Sequence, residues 1–176
     1  MKLSSARRRC MVLLRDVELP NPFDLGAFCD NLAGQRGRGL HLHPFHVSIN
    51  APLPCGVYLS LRDDDHIFFD GRTSPLHRDH IVLHEISHML LGHGTDSRLH
   101  ETIGRLMPSI DQRTIETMLA RTSYSTEHEQ EAELLATLIA GSATSRATPA
   151  GATGATPILD HLHTTLGHVA SSVQRR

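Results

Sequence analysis

An H-E-x-x-H motif near the middle of the sequence brings together residues that could bind a metal ion, at His84, Glu85 and His88. Residues four apart on an α-helix lie about 40° apart around the axis and about 6 Å apart along it, so both imidazoles can reach one cation. Glu85 lies roughly 100° round from His84, beside the cation rather than on it. There it can take a proton from a water molecule at the metal, so the motif predicts a zinc site with Glu85 as general base.

A zinc ion that catalyses hydrolysis keeps three protein ligands and an open position, so the motif needs one more donor. The best source is an acidic run later in the chain, Glu127-His128-Glu129-Gln130-Glu131-Ala132-Glu133. Glu129 shares a helix face with two alanines, which would let its helix approach the motif helix closely. The pattern favours Glu129 as the third ligand, leaves Glu131 as the alternative, and places Glu133 to orient a ligand histidine.

A solvent-exposed helix with accidental histidine spacing is the simplest alternative for the motif. Residues 81–90 are otherwise mainly apolar, which is typical of a buried helix. An unpaired buried polar group costs about 1–3 kcal/mol, and metal coordination would compensate for that cost. The apolar surroundings therefore favour the metal site.

The elements that must position these residues form an α+β pattern. The motif lies in a predicted helix that Thr73 or Ser74 caps and Gly92 ends. The segments with strand character are residues 40–49, 56–61 and 66–69, and the acidic tract Asp63-Asp64-Asp65 forms a turn that makes the last two a hairpin. A second predicted helix is capped by Asn21 or Asp24 and ended by Gly34 and Gly37, and another begins near Ser125. The remaining predicted helices are residues 5–15, 98–106, 111–119 and 158–166.

Length and composition predict one compact domain. The chain has 176 residues, 39% of them hydrophobic and 20% charged, which is enough for a single core. We expect this domain to occupy residues 1–140, with residues 1–20 as an N-terminal arm. Residues 141–157 are rich in Ala, Thr, Gly and Pro and predict a flexible linker. Residues 158–176 would then form a short helix and a tail.

Charge, hydropathy and cysteine content exclude several classes of protein. A net charge of −2 gives no global positive field for nucleic acid, so direct nucleic-acid binding is not expected. No apolar run is long enough for a membrane span, and the run at residues 11–14 is too short for a signal peptide, which predicts a cytoplasmic protein. The three cysteines form no C-x-x-C pair and indicate reduced thiols.

Three segments together resemble the ImmA/IrrE family of bacterial metallopeptidases, over about residues 40–140. They are Asp65-His66-Ile67-Phe68-Phe69-Asp70, the run from His80 through the motif to Gly92-His93, and Glu129-Gln130-Glu131-Ala132 with Leu135 and Ala136. In that family a Glu-x-x-Ala pattern follows the motif helix, and its Glu completes the zinc site. The resemblance therefore also implies Glu129 as a ligand. Glu133 stands where the family usually has Asn or Asp.

The resemblance implies a zincin-like α+β fold, with a small antiparallel or mixed sheet packed on the active-site helix and additional helices. It further implies a cytoplasmic Zn²⁺ endopeptidase that cleaves a partner helix-turn-helix transcriptional repressor. His84, His88 and Glu129 would hold the metal and Glu85 would act as the base.

Two questions stay open from the sequence. The donor that stabilises the charged carbonyl oxygen could be His93, His100, Tyr124 or His128. The alternative function is a non-catalytic, zinc-stabilised regulator that binds a repressor or another partner without cutting it, which would need a fourth protein ligand. A DNA-binding module based on arginines is a weaker hypothesis, and the arginines concerned are Arg7, Arg8, Arg9, Arg36 and Arg38.

Overall fold

A computed structural model describes residues 3–45, 54–61, 63–93 and 124–147 of the chain. The helices in these ranges are α1 (Leu3–Asp16), α2 (Leu25–Arg36), α3 (Pro75–Leu91) and α4 (Thr126–Ala147), and the strands are β1 (Gly39–Phe45), β2 (Gly56–Ser60) and β3 (Asp64–Asp70). The class is therefore α+β, as predicted. Several expectations lie outside the described residues, namely the continuation of the first strand to residue 49, the helices at 98–106, 111–119 and 158–166, and His100.

The predicted caps of α2 and α3 are confirmed. Asp24 accepts a hydrogen bond from the backbone N–H of Ala27 at 2.8 Å, and Ser74 accepts one from His77 at 3.3 Å. Gly37 and Gly92 end the two helices with φ values of 66° and 70°, a left-handed conformation that glycine adopts without a steric penalty. These ends fix the length of α3, which carries the motif.

The three strands form a mixed sheet in the order β1-β3-β2. β2 and β3 are the predicted hairpin and pair antiparallel, with Tyr58 opposite Ile67. β1 pairs with β3 in parallel, with Leu42 opposite Ile67. Asp64 and Asp65, which the sequence suggested as part of the turn, already belong to β3.

The core lies where α3 packs between the sheet and α4. α3 contacts β2, β3 and α4, while α1 packs on α4 and α2 on β1. The core includes Tyr58, Ile67 and Phe69 from the sheet, Ile81, Val82, Leu83, Ile86 and Met89 from α3, and Leu135, Ala136 and Ile139 from α4. Burial of this apolar surface holds α3 in place by the hydrophobic effect. Across the described ranges, no helix is both long and apolar enough to cross a membrane.

A buried carboxylate joins α2 to the sheet. Asp65 is 1% exposed and contacts Arg36 at 3.0 Å and Arg38 at 3.2 Å, while the hydroxyl of Tyr58 donates to it at 3.0 Å. Two of the arginines in the DNA-binding hypothesis are therefore engaged in the fold. This engagement weakens that hypothesis further.

α4 extends beyond the predicted domain boundary. Residues 141–147 are helical, so the prediction of a linker that begins at residue 141 was wrong for this part, and residues 148–157 lie outside the described ranges. Ala143 is buried, so this part of the helix packs against the rest of the protein. The hydroxyls of Thr144 and Ser145 donate to carbonyls one turn earlier, at 2.9 and 2.8 Å. A segment that lacks large apolar residues thus continues the helix.

Replacing Gly141 by Ala tests the extension of α4. A Cβ at this position would meet open space, so Gly141→Ala is expected to raise the free energy of unfolding by about 0.5–1 kcal/mol, the difference in helix propensity. Urea unfolding followed by circular dichroism measures this. Gly37→Ala is the control and should destabilise, because its φ is positive. No change in Gly141→Ala would indicate a linker instead.

Three histidines stack on the face of the sheet opposite Ile67. The ring of His66 lies 5.0 Å from that of His41 and 5.2 Å from that of His43, and Nε2 of His43 lies 2.9 Å from Nδ1 of His66. Burial and the two neighbouring imidazoles lower the pKa of His66 to about 4. His66 therefore has a structural role as a neutral ring in this stack.

His66 is expected to make the fold sensitive to acid. Its pKa of about 4 in the folded state lies below the unfolded value of 6.5, so the unfolded chain binds the proton more readily. The associated stability is fully present above about pH 6.5 and is lost as the pH falls through 4, on the order of 3 kcal/mol. Urea unfolding of the wild type and His66→Asn between pH 7 and 4 measures this loss. An equal loss in both proteins would contradict the assignment.

Candidate metal centre

The facing sides of α3 and α4 bring His84, His88 and Glu129 together. Nε2 of His84 lies 3.1 Å from Nε2 of His88 and 3.2 Å from Oε2 of Glu129. Nε2 of His88 lies 3.9 Å from Oε1 of the same carboxylate. One donor atom from each residue thus falls within a single group that could hold a metal ion. These are the three ligands that the sequence predicted.

The spacing of these donors fits a small tetrahedral cation. Zinc ligands at about 2.0–2.1 Å from the metal are about 3.3–3.4 Å from one another. Nε2 of His84 is 3.1 Å from Nε2 of His88 and 3.2 Å from Oε2 of Glu129, close to that value, and one donor atom from each residue lies within 4.8 Å of the others. Two imidazole nitrogens and one carboxylate oxygen are also a donor set that zinc prefers. The chain's own residues therefore fit the predicted group.

His84 lies between two carboxylates of α4. Its Nε2 contacts Glu129, and its Nδ1 lies 3.4 Å from Oε2 of Glu133. Burial lowers the pKa of His84, but hydrogen bonds to the two carboxylates and the charge of Glu85 outweigh it and raise the pKa to about 10. Glu133 thus takes the orienting position that the sequence predicted, with His80 as a second partner at 3.2 Å.

His88 is fully buried and differs in its electrostatics from His84. Burial, then the charge of His84, lowers the pKa of His88 to about 3. The ring of Tyr124 stacks on it with centroids 3.7 Å apart. Its second nitrogen, Nδ1, lies 3.1 Å from Nδ1 of His93. His88 is therefore a neutral imidazole with one nitrogen towards the metal group and the other towards the protein.

Glu85 occupies the position expected of a general base. It is 5% exposed, and Oε2 has no hydrogen-bond partner within the described part of the chain. Burial raises its pKa to about 7, although a hydrogen bond from the Tyr58 backbone lowers it in part. Strand β2 passes so close that a Cβ on Gly56 would lie 2.8 Å from Oε1 of Glu85. The glycine is required for this approach.

Glu131, the alternative ligand, points away from the metal group. Its side chain is 0% exposed and pairs with Arg9 of α1, and Oε2 lies 3.5 Å from Nε2 of His93. Residue 131 is two positions beyond Glu129, so on a helix it faces about 200° away. The structure thus places Glu129 in the metal group and Glu131 between α1 and α4.

Sequence reasoning missed some residues around the centre. His80 is four residues before His84, so its place on the same helix face was available from spacing alone. The contact of Arg9 with Glu131 spans 122 positions and has no local signal. Of the four proposed carbonyl-stabilising donors, Tyr124 lies beside His88, and His128 stacks on His93 with centroids 4.1 Å apart.

The chain was compared with models of protein families, with curated proteins and with solved structures, and none of the three comparisons found a match. Membership of the ImmA/IrrE family therefore stays a prediction. The geometry of the centre carries the functional argument.

The centre is expected to bind one zinc ion per chain. His84→Ala and Glu129→Ala should each lower zinc affinity by more than about 100-fold, because even indirect partners of a metal contribute about 10–100-fold. Competition with a chromophoric chelator measures the affinity, and elemental analysis gives the stoichiometry. Glu127→Ala, an exposed acid on the same helix, is the matched control. Equal effects of the Glu127 and Glu129 variants would rule out the ligand assignment.

Proposed function

We propose that this chain is a zinc-dependent endopeptidase that hydrolyses a peptide bond in a protein substrate. The observation that supports this most directly is the convergence of three donors on one position, with a buried carboxylate beside them. A metal site that only stabilises the fold has no need of such a carboxylate. A hydrolase needs it, because the attacking water must lose a proton.

Each residue of the centre has a distinct task in this reaction. His84, His88 and Glu129 would hold zinc, which when bound supplies the Lewis acidity that activates water and polarises a carbonyl. Glu85 accepts the proton of the attacking water and delivers it to the leaving amine. A pKa of about 7 suits that task, because the carboxylate can both take up and return a proton near neutral pH.

Tyr124 is the described residue best placed to stabilise the carbonyl oxygen as it becomes negative. Its hydroxyl is buried and has no hydrogen-bond partner within the described ranges. Burial raises the pKa of Tyr124, and the charges of Glu85 and Glu129 raise it further, so the hydroxyl keeps its proton, and its ring stacks on that of His88. A neutral donor at this place suits the developing charge. His93 is less suitable, because it lies on the far side of His88.

The substrate is proposed to bind as an extended peptide along β2. This strand pairs with β3 on one side, and no described strand covers the other side. A Cβ on Gly56, the first residue of β2, would lie 2.8 Å from Oε1 of Glu85, so the strand lies beside the proposed catalytic carboxylate. An added strand at such an edge gains backbone hydrogen bonds and holds a scissile bond in one register. The short edge thus offers a way to position a peptide.

The resemblance to the ImmA/IrrE family supports a narrower substrate class. On that basis we propose a helix-turn-helix transcriptional repressor as the protein cleaved, with the reaction in the cytoplasm. The net charge of −2 and the pairing of Arg9, Arg36 and Arg38 with carboxylates agree with a protein partner rather than nucleic acid.

A non-catalytic regulator with a structural zinc site is the alternative. Such a site is normally closed by four protein ligands. Within the described residues, the group of converging donors has three members. His93, a possible fourth ligand, contacts Nδ1 of His88 and not the nitrogen that faces the metal group. The arrangement therefore favours the enzyme.

Replacing Glu85 by Gln tests the proposed function. We expect Glu85→Gln to bind zinc like the wild type and to cleave substrates about 10²–10⁴-fold more slowly, because the proton acceptor is lost. The readout is cleavage of a peptide library and of denatured casein, followed by mass spectrometry, and Glu127→Gln is the control. An active Gln variant would remove Glu85 from the mechanism. A zinc-loaded wild type that cleaves nothing would favour the regulator.

A further inference from the structure

A chain of buried polar contacts leads from His88 away from the metal group to the first helix. Nδ1 of His88 lies 3.1 Å from Nδ1 of His93, and Nε2 of His93 lies 3.5 Å from Oε2 of Glu131. The same carboxylate oxygen pairs with the guanidinium of Arg9 in α1. Four residues from three segments of the chain are thus connected in sequence.

We propose that His93 and Glu131 are positioning residues that fix the orientation of His88, and that Arg9 anchors them to α1. The proposal deepens the proposed function and rests on its metal site. None of the three residues supplies a donor atom to the metal group. Each acts through the next one along the chain of contacts.

The pattern of donors and acceptors supports this role. Nε2 of His88 faces the metal group and needs a free lone pair there, so the ring hydrogen belongs on Nδ1. That N–H then donates to Nδ1 of His93, whose own hydrogen must lie on Nε2. Nε2 of His93 lies 3.5 Å from Oε2 of Glu131, an electrostatic contact rather than a formed hydrogen bond. One consistent set of tautomers therefore runs along the whole chain of contacts.

Burial shows why Arg9 is needed. The side chains of His88 and Glu131 are 0% exposed, and that of His93 is 3% exposed. A carboxylate in such a place is costly unless an opposite charge and hydrogen bonds compensate. Arg9 supplies the charge from a side chain that is itself 52% exposed. An apolar residue would pack α1 against α4 more simply, so the carboxylate suggests a purpose beyond packing.

Coupling between α1 and the metal site follows from this arrangement. If α1 moves, Glu131 loses its counter-charge and His93 loses a fixed acceptor. By thermodynamic reciprocity, whatever displaces α1 should weaken zinc binding, and bound zinc should hold α1 in place by the same free energy. The N-terminal helix is therefore a means by which a partner could regulate the centre.

Two substitutions at residue 93 separate positioning from packing. His93→Phe keeps a ring of similar size that can stack on His128 but has no acceptor for His88, and we expect about 10–100-fold weaker zinc binding. His93→Gln restores an acceptor and should recover most of the affinity. The cobalt-substituted proteins provide a spectroscopic signature, because the visible bands of Co²⁺ should change in the Phe variant and return towards the wild type in the Gln variant.

The neighbouring arginines of α1 give a matched pair of variants. Arg9→Ala should weaken zinc binding, whereas Arg8→Ala, which removes an exposed arginine one position away, should leave it unchanged. Thermal unfolding of the zinc-free proteins shows whether each variant folds. If His93→Phe does not fold, the arginine pair and the Gln variant still decide the question.

A measurement without metal separates this inference from the proposed function. In zinc-free protein labelled with ¹⁵N-histidine, we expect a scalar coupling through the hydrogen bond between Nδ1 of His88 and Nδ1 of His93. Its absence, or equal zinc affinity and equal cobalt spectra for the wild type and His93→Phe, would overturn the inference while leaving the peptidase intact. A wild type that shows the coupling but binds no zinc would support the contact and overturn the metal-based function.

Discussion

The separation of α3 and α4 is the constraint on which the rest of the centre depends. His84 and His88 can be brought to a common point by one helix, but the third donor must arrive from another. Glu129 reaches them because Ala132 and Ala136, on its own helical face, are fully buried and small. Larger side chains there would push α4 outwards, and a shift of one or two ångströms would take the carboxylate out of bonding range. Packing of the core therefore sets the chemistry of the centre.

The close packing of α3 and α4 also pairs their charged side chains. Imidazoles of α3 alternate with carboxylates of α4, so each charged group finds a partner of opposite sign or a neutral ring. Glu85 departs from this pattern, because one of its oxygens has no partner among the residues described, and the hydroxyl of Tyr124 is likewise unpartnered there. Unsatisfied buried groups are rare in folded proteins and tend to occur where function requires them. Glu85 lies beside the three converging donors.

The sequence predicted much of this fold because local signals were strong. Asp24, Ser74, Gly37 and Gly92 each cap a helix by chemistry that involves only a few neighbouring residues. Helix periodicity led to the choice of Glu129, and in the structure this carboxylate does lie beside His84 and His88. The predicted end of α4 was wrong, because composition alone could not show that Ala143 is buried.

Contacts between distant parts of the chain could not be predicted from such local signals. The sequence does not distinguish an arginine that forms an ion pair from one that is solvated, as Arg9, Arg36 and Arg38 show. Their partners depend on how whole elements dock, and docking is decided by the sum of many weak apolar contacts. Glu131 illustrates the point, because spacing made it a possible ligand and only the position of α1 shows its partner.

The long span between Arg9 and Glu131 has a consequence for how the molecule is made. α1 is synthesised first, and its buried counter-charge follows 122 positions later. Until α4 leaves the ribosome, Glu129 cannot approach His84 and His88, and Glu131 cannot pair with Arg9. Such non-local contacts form slowly, because a long loop must close before any of them is gained. The last of the described helices to emerge thus brings Glu129 to the two histidines and Glu131 to α1.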